Sequence, residues 1–561
     1  VRGVQRLQLD PRLEAEVRRK GYLAKYIAEA TRLYGPPRFY NARELDYSLK
    51  GARDVNILYA VSDMIYVHVV RRESYRSYGR YIVVEPPEPN RRLMDLVEFK
   101  LAIAIKDQDA VEDVEERRRL LLRKLEEVVQ VTRTPVSYER LTGREGRIPV
   151  YIGDYEALRY YVVRNMAGLG FLEPFLQDPW LEDITCKGAG NIYVVHKLFG
   201  TLESNRGFTS KEELDRFVIR LSERIGKPVS HARPIIDATL PDGSRLNLVF
   251  GEDVSLHGSN FTIRKFAEKP VSVTQLIAWN TMDERVAAYL WMLLSNNMSG
   301  MVVGETASGK TTTLNAVAAF IPPNYKVVTI EDTAEVRLPH PNWVRELARV
   351  TGSAESSVTL FDLLKAALRQ RPNYIIVGEI RGAEASVFFQ ALQTGHPGLA
   401  TFHAGSVDQV VQRLVGEPIR VPKAFIPNLN FVLIQNAVWR GGQMIRRVIS
   451  VNEIVSYDPR SDSIVYVPVF TWDSVRDRFT FRGRGASFLL ESKIASMAGL
   501  SRLEIRKIYE ELDLRAEFLK ELVNRKILDY FKVWEAIKKT YEISLEDALA
   551  KLRRGSLKLT G

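Results

Sequence analysis

The sequence predicts an α/β fold built on a mostly parallel sheet, preceded by α+β segments and followed by a helical tail. Three observations carry that prediction. Short apolar runs ending in acids, Val327 to Asp332 and Tyr374 to Glu379, alternate with helix-patterned stretches, as in parallel sheets covered on both faces. A glycine-rich run, Gly304-Glu305-Thr306-Ala307-Ser308-Gly309-Lys310-Thr311, lies between the apolar Met301-Val302-Val303 and a helical continuation, Thr312 to Phe320, which Pro322-Pro323 stops. From Ser487 to Leu557 apolar residues recur at the helical period, a pattern that core packing explains better than a cofactor role.

A chain of 561 residues predicts about three to four domains, each long enough to bury a core. The hydrophobic content of 45% is that of a globular protein. The single cysteine, Cys186, excludes an intrachain disulfide framework and any four-cysteine zinc module, which fits a reducing compartment. The apolar stretch from Val55 to Val70 is broken by Asp63 and His68 and alternates like strands. No segment is long enough to span a bilayer, and the first residues lack the apolar region of a signal peptide, so a cytoplasmic location is expected. The net charge of +11 suits an anionic membrane surface, an acidic protein, nucleic acid, or simply a soluble surface with excess Lys and Arg.

Taken in order, residues 1–150 form a first N-terminal α+β domain. A helical pattern (Leu13, Val17, Leu23, Ile27) leads through Gly35-Pro36-Pro37 to strands at Asn56 to Val70 and Tyr81 to Val84. Helices follow near Leu93 to Ile105 and Val111 to Val131, the second carrying a charged run that reads as a solvated face. Residues 151–267 form a second N-terminal domain: a helix at Tyr155 to Met166, strands at Leu176 to Ile184 and Ile192 to His196, and a helix opened by Thr209 and Glu212 at capping-box spacing. Pro241-Asp242-Gly243 reads as a turn between two strands, and Asn260 to Phe266 as the last strand. Arg233, Arg245 and Arg264 stand beside these turns, either as ordinary surface arginines or as functional cations.

Glu268-Lys269-Pro270 forms a linker (268–270) into the domain of the glycine-rich loop, 271–482, with the tail at 483–561. The loop fits G-x-x-x-x-G-K-[ST]. Its glycines let backbone N–H groups close around phosphates, Lys310 reaches the β- and γ-phosphates, and the Thr311 hydroxyl can ligate Mg²⁺. Ligands of parallel sheets sit beyond the carboxyl ends of the strands, where Glu331, Asp332, Glu379 and His403 would gather around the loop.

With these stretches side by side, the chain resembles the secretion superfamily ATPases of type II secretion, type IV pili and the archaeal flagellum, the archaeal members most of all. The residues that carry the likeness are Gly304 to Thr313; Thr329-Ile330-Glu331-Asp332-Thr333-Ala334-Glu335-Val336, like the family's acidic box; Ile375 to Gly382, like its unusual Walker B; and Thr394-Gly395-His396 with Thr401-Phe402-His403-Ala404, like its histidine box. Asp178 to Ile184 and the segment around Pro241 to Arg245 resemble its second N-terminal domain. The likeness is strong over about 150–450 and looser in the tail.

The resemblance implies a RecA-like P-loop domain, ATP and Mg²⁺ as ligands, and a homo-hexameric ring docked on a polytopic membrane platform protein at the inner face of the membrane. It implies that Gly304, Thr306, Ala307, Ser308, Gly309, Lys310, Thr311 and Thr312 hold the phosphates, and that Thr311 and Glu379 serve the metal. By the same likeness Glu335 is the general base, His403 senses the γ-phosphate with His396 in support, and Arg245 and Arg264, with Arg233 as a third, act as arginine fingers. Gly378 stands where an ordinary Walker B strand ends in Asp, so Glu379 takes over the acid function. Ala307 and Gly382 depart from the glycine and aspartate of bacterial relatives. The competing class is a nucleic-acid-translocating ATPase, which basic charge and a ring would also serve; nucleic acid is the less favoured partner.

Overall fold

The computed structural model describes residues 9–45, 49, 52, 54–72, 79–105, 113–265, 270–349, 357–440 and 443–559, and divides into two compact units, 1–267 and 268–561. Glu268 and Lys269 of the expected linker, Val111 at a helix start and Phe266 at a strand end lie outside the described residues.

In the first unit, strands β1 (Arg38–Asn41), β2 (Val55–Ala60), β3 (Tyr66–Arg71) and β4 (Gly79–Val84) precede a small parallel pair, β5 (Val129–Thr132) and β6 (Ile148–Tyr151). Then come β7 (Leu181–Cys186), β8 (Gly190–His196), β9 (Gly200–Phe208), β10 (Ile235–Thr239), β11 (Arg245–Val249) and β12 (Asn260–Arg264). All but β5 and β6 join one ten-stranded sheet in the order β1-β2-β3-β4-β9-β8-β7-β12-β11-β10. Strands from both N-terminal segments therefore share a sheet. Parallel pairing of β4 with β9 joins them, and the buried Asp178 carboxylate accepts the hydroxyls of Tyr59 on β2 (2.6 Å) and Tyr81 on β4 (2.8 Å).

Val55 to Val70 forms a hairpin whose partners run from Val55↔Arg71 to Ala60↔Tyr66. It is buried almost continuously because helices Pro11–Arg19 and Gly21–Tyr34 pack on one face and the main core of the unit lies on the other. The second charged helix is shorter than expected, Val114–Val128; Asp113 caps it, and the β-branched Val129 and Val131 continue as β5. The capping expected at Thr209 falls one residue later. Ser210 has extended backbone geometry and accepts the Glu213 N–H (3.2 Å), while the Glu213 carboxylate accepts the Thr209 N–H (2.8 Å).

The turn over Pro241-Asp242-Gly243 joins β10 and β11 as expected, with Gly243 at φ 87° and the Asp242 carboxylate accepting the Ser244 N–H at 3.0 Å. Along β11 and β12 the residues alternate. Leu246, Leu248, Phe261 and Ile263 point into the core, which leaves Arg245 and Arg264 on the outward face.

The second unit contains β13 (Gly300–Val303), β14 (Val327–Glu331), β15 (Trp343–Leu347), β16 (Tyr374–Ile380), β17 (Gly398–Phe402), β18 (Phe431–Arg440), β19 (Gln443–Asp458), β20 (Ser463–Asp473) and β21 (Arg478–Phe481). The sheet order is β15-β14-β16-β17-β13-β18-β19-β20-β21. Neighbours from β15 to β18 are parallel and those beyond are antiparallel, which gives the mostly parallel sheet the sequence predicts. The β13, β14, β16 and β17 carboxyl ends consequently open on one edge.

Helices Leu360–Arg369, Glu384–Gln393 and Val407–Val415 cover one face. On the other face lies Glu284–Ser295, buried almost all round, beneath the tail helices Arg506–Asn524, Tyr530–Glu542 and Leu545–Arg553. Trp291 stacks on Phe320 (5.4 Å between ring centres) and meets Phe518 (6.0 Å), so the tail and the sheet share one core. A fully buried carboxylate, Glu453, accepts hydrogen bonds from the Tyr289 hydroxyl (2.5 Å), the Ser487 hydroxyl (2.5 Å) and the Leu489 N–H (3.1 Å) at this junction. Among the described residues no helix is long and apolar enough to cross a membrane.

Candidate nucleotide site

The glycine-rich loop follows β13 directly. The Gly304 N–H donates to the Phe402 carbonyl at the end of β17 (3.3 Å), and the loop closes at Gly309, a left-handed residue (φ 89°) that caps helix Lys310–Ala318. Space requires glycine at 304, and the left-handed backbone favours it at 309. A Cβ on Gly304 would stand 2.1 Å from the Gln435 carbonyl oxygen, and one on Gly309 would stand 3.0 Å from both Arg446 Cδ and Gln435 Nε2. Ala307 also has positive φ, 62°.

The loop's carbonyls are held by side chains of the neighbouring hairpin and of the loop itself. Gln435 on β18 donates Nε2 to the Ser308 carbonyl (2.7 Å) and accepts the Thr313 hydroxyl (2.7 Å). Arg446 on β19 donates Nε to the Ala307 carbonyl (3.0 Å), and Lys310 donates Nζ to the Glu305 carbonyl (2.9 Å). Thr306 Oγ1 lies 3.0 Å from His403 Nε2. Among the described residues the buried Ser308 hydroxyl has no partner. Close-set glycines, a helix N-terminus, a hydroxyl unpartnered among the described residues and a lysine bonded to a carbonyl of its own loop fit a phosphate group. Burial lowers the Lys310 pKa; Glu379 and Glu335 oppose that shift, and Arg381 adds to it.

Two acidic segments, after β14 and at the end of β16, lie at the same edge as the loop. Glu379 on β16 receives a 2.5 Å bond from Arg381, which also stands 3.5 Å from Asp332. Glu331, at the end of β14 and buried, accepts with Oε1 the N–H groups of Glu335 (2.8 Å) and Val336 (2.7 Å). Arg345 Nε lies 3.7 Å from its Oε2. Burial raises the Glu331 pKa to about 7, with the backbone N–H bonds and Arg345 pulling the other way. The Glu335 side chain is exposed. On β16, Gly378 gives its carbonyl to the Thr401 hydroxyl (2.6 Å), which sets the strand carrying Glu379 against β17.

Lys310, Thr311, Thr312, Glu335, Glu379 and His403 thus gather at one edge of this unit. His396 does not join them. It precedes β17 and pairs with Thr394 Oγ1 (3.2 Å), whereas His403 follows β17; an extended strand puts the two histidines roughly 20 Å apart, at about 3.3 Å per residue. Arg245 and Arg264 lie in the first unit as direct cross-strand partners, with Asp183 3.5 Å from Arg264 Nε. Arg233 is exposed just before β10, its N–H bonded to Ser230 Oγ (3.2 Å).

The sequence assigns no role to Gln435, Arg446 or Arg381, and it places Glu331 near the loop without saying what its carboxylate holds. A lone amide after the apolar run Phe431-Val432-Leu433-Ile434 was the available signal for Gln435.

Parallel strands, a G-x-x-x-x-G-K-[ST] loop between the first of them and a helix, and acids at the ends of the next define a P-loop protein of the RecA-like kind. Residues 165–436 match the model of the family described as type II/IV secretion system protein. The uncharacterized protein MJ0900 of Methanocaldococcus jannaschii is 44% identical over 543 residues, 95% of this chain and 97% of that one. MJ1287 of the same organism is 47% identical over 254 residues, 45% of this chain and 92% of its own length. The type IV secretion system protein PtlH of Bordetella pertussis is 30% identical over 267 residues, 43% of this chain and 78% of its own. The chain belongs to the type II/IV secretion system protein family, as its motifs implied.

Proposed function

We propose that the protein is an ATP-hydrolysing motor that acts as a homo-hexamer at the inner face of the cell membrane, where it drives type IV pilus-like filament assembly or secretion through a polytopic platform protein. The observation that carries this reading is the meeting of Lys310 with Glu335, Glu379 and His403 at one sheet edge, in a chain of the secretion family.

In this reading the N–H groups of residues 304–312 and the Lys310 ammonium bind the phosphates. Thr311, and Glu379 directly or through water, would hold Mg²⁺, which would supply charge neutralisation at the phosphates when bound. Glu335 accepts the proton of the attacking water. His403, bonded to Thr306 at the loop, reports the γ-phosphate. Arg245 and Arg264, with Arg233 as a weaker third, supply positive charge to the transition state. The net charge of +11 suits an anionic surface, and the likeness to a secretion system protein favours that partner over nucleic acid.

The test combines light-scattering mass and ATP turnover on wild type, Lys310→Ala and Glu335→Gln, with acidic liposomes or DNA. Lys310→Ala should lose binding or turnover, while Glu335→Gln should bind ATP without hydrolysing it. Equal loss of binding in both would sink the base assignment. Turnover that requires DNA and falls steeply with salt would favour a translocase instead.

A further inference from the structure

We propose that Glu331 is a positioning residue for hydrolysis: its buried side chain holds the turn that presents Glu335, so it governs turnover and not nucleotide binding. The inference rests on the reading of Glu335 as general base, and adds to it the group that fixes where that base stands.

Four observations support it. First, one oxygen of Glu331 accepts two consecutive N–H groups, from Glu335 (2.8 Å) and Val336 (2.7 Å), so the chain must double back sharply after β14. The Glu335 N–H is shared with the Thr333 carbonyl (2.8 Å), which closes the turn from the other side. Second, the remaining oxygen is buried and has no hydrogen-bond partner among the described residues; the nearest cation is Arg345, at 3.7 Å. A carboxylate with no second anchor of that kind is committed to the turn. Third, the neighbouring strand leaves room for it. A Cβ on Gly378 would stand 3.1 Å from Glu331 Cγ, so the residue before Glu379 accommodates the side chain that sets Glu335. Fourth, Ile330↔Val377 pairing on β14 and β16 puts Glu331 and Gly378 side by side at the strand ends. Glu331 therefore fixes Glu335 relative to Glu379, and an error of an ångström between such groups costs about a hundredfold in rate.

The experiment uses the full chain with Glu331→Ala, Glu331→Gln, Glu331→Asp and Glu335→Gln. ATP affinity is measured by titration calorimetry, kcat by phosphate release, and hydrogen exchange of the 335 and 336 amides in nucleotide-free protein. Glu331→Ala should keep ATP affinity within about twofold, lose roughly ten- to a hundredfold in kcat, and expose both amides to exchange. Glutamine reaches equally far and still accepts the two N–H bonds, so Glu331→Gln should restore amide protection and most of the rate. The shorter Glu331→Asp should behave like alanine, and it carries the test if the alanine variant does not fold. Unchanged protection in both shortened variants, affinity lost in step with kcat, or a glutamine variant as slow as alanine would each overturn the inference. Wild-type turnover in Glu335→Gln would overturn the base assignment and with it the link to hydrolysis, while amide exchange still reports whether Glu331 holds the turn.

Discussion

Gly378 and Glu331 sit side by side on neighbouring parallel strands, and a Cβ on Gly378 would come within 3.1 Å of Glu331 Cγ. Glycine at this point makes room for a buried carboxylate from the next strand. Gly378→Ala should therefore cost about 1 kcal/mol in a urea unfolding series, as the Glu331 side chain gives way. Gly378→Asp, which adds a second acid beside a buried one, should cost more and abolish turnover while Lys310 still binds ATP. An aspartate variant as stable and active as wild type would contradict this account.

Ala307 occupies a left-handed backbone position, φ 62°, in the glycine-rich loop. Side chains pay about 1–2 kcal/mol there, and glycine does not, although glycine also loosens the unfolded chain. Ala307→Gly should be neutral to stabilising by up to about 1 kcal/mol, with ATP affinity retained. Ala307→Val should lower both the melting temperature and the affinity. Thermal melts with and without Mg-ATP compare the two.

Burial raises the Glu331 pKa from its ordinary 4.5 to about 7. Between those values the folded protein binds this proton and the unfolded chain does not, so the contribution of Glu331 to stability falls as pH rises from about 4.5 to about 7 and is level above. The full effect is on the order of 3 kcal/mol at most. The difference in unfolding free energy between wild type and Glu331→Gln, followed over that window, should move against wild type as pH rises. A pH-independent difference would show that the group does not titrate there.

Arg245 and Arg264 are directly opposed on β11 and β12. Like charges in that relation oppose folding by about 0.2–1 kcal/mol. Arg245→Gln should accordingly raise the melting temperature slightly while lowering kcat. A variant that loses stability as well as activity would mark the residue as structural.

The glycine-rich loop was legible because all of its parts lie within eight residues and every position has a local reason. Its bracing was not, since Gln435 and Arg446 meet it from 127 and 139 residues away in sequence. Strand β9 escaped the reading because only Leu202, Ser204 and Phe208 point inward along Gly200–Phe208, too weak an alternation to stand out. The short β1 and β15 are edge strands with mixed polarity. His396 and His403 look close in the sequence, yet an extended strand carries them to opposite ends of the sheet. The helical period of the tail was plain, but periodicity names a buried face without naming its partner.

That partner has a consequence for synthesis. Helix Glu284–Ser295 lies beside the sheet that carries the glycine-rich loop, yet residues that finish its burial, from Leu512 to Leu552, leave the ribosome after the whole of that sheet. The carboxylate of Glu453 waits for Ser487 and Leu489 in the same way. The first unit can complete its packing while translation continues, since chains fold domain by domain as they emerge. The second unit can finish only once those later helices have emerged. A message cut short after residue 482 would thus yield the glycine-rich loop entire, with an apolar face of its own core left open to chaperones and proteases.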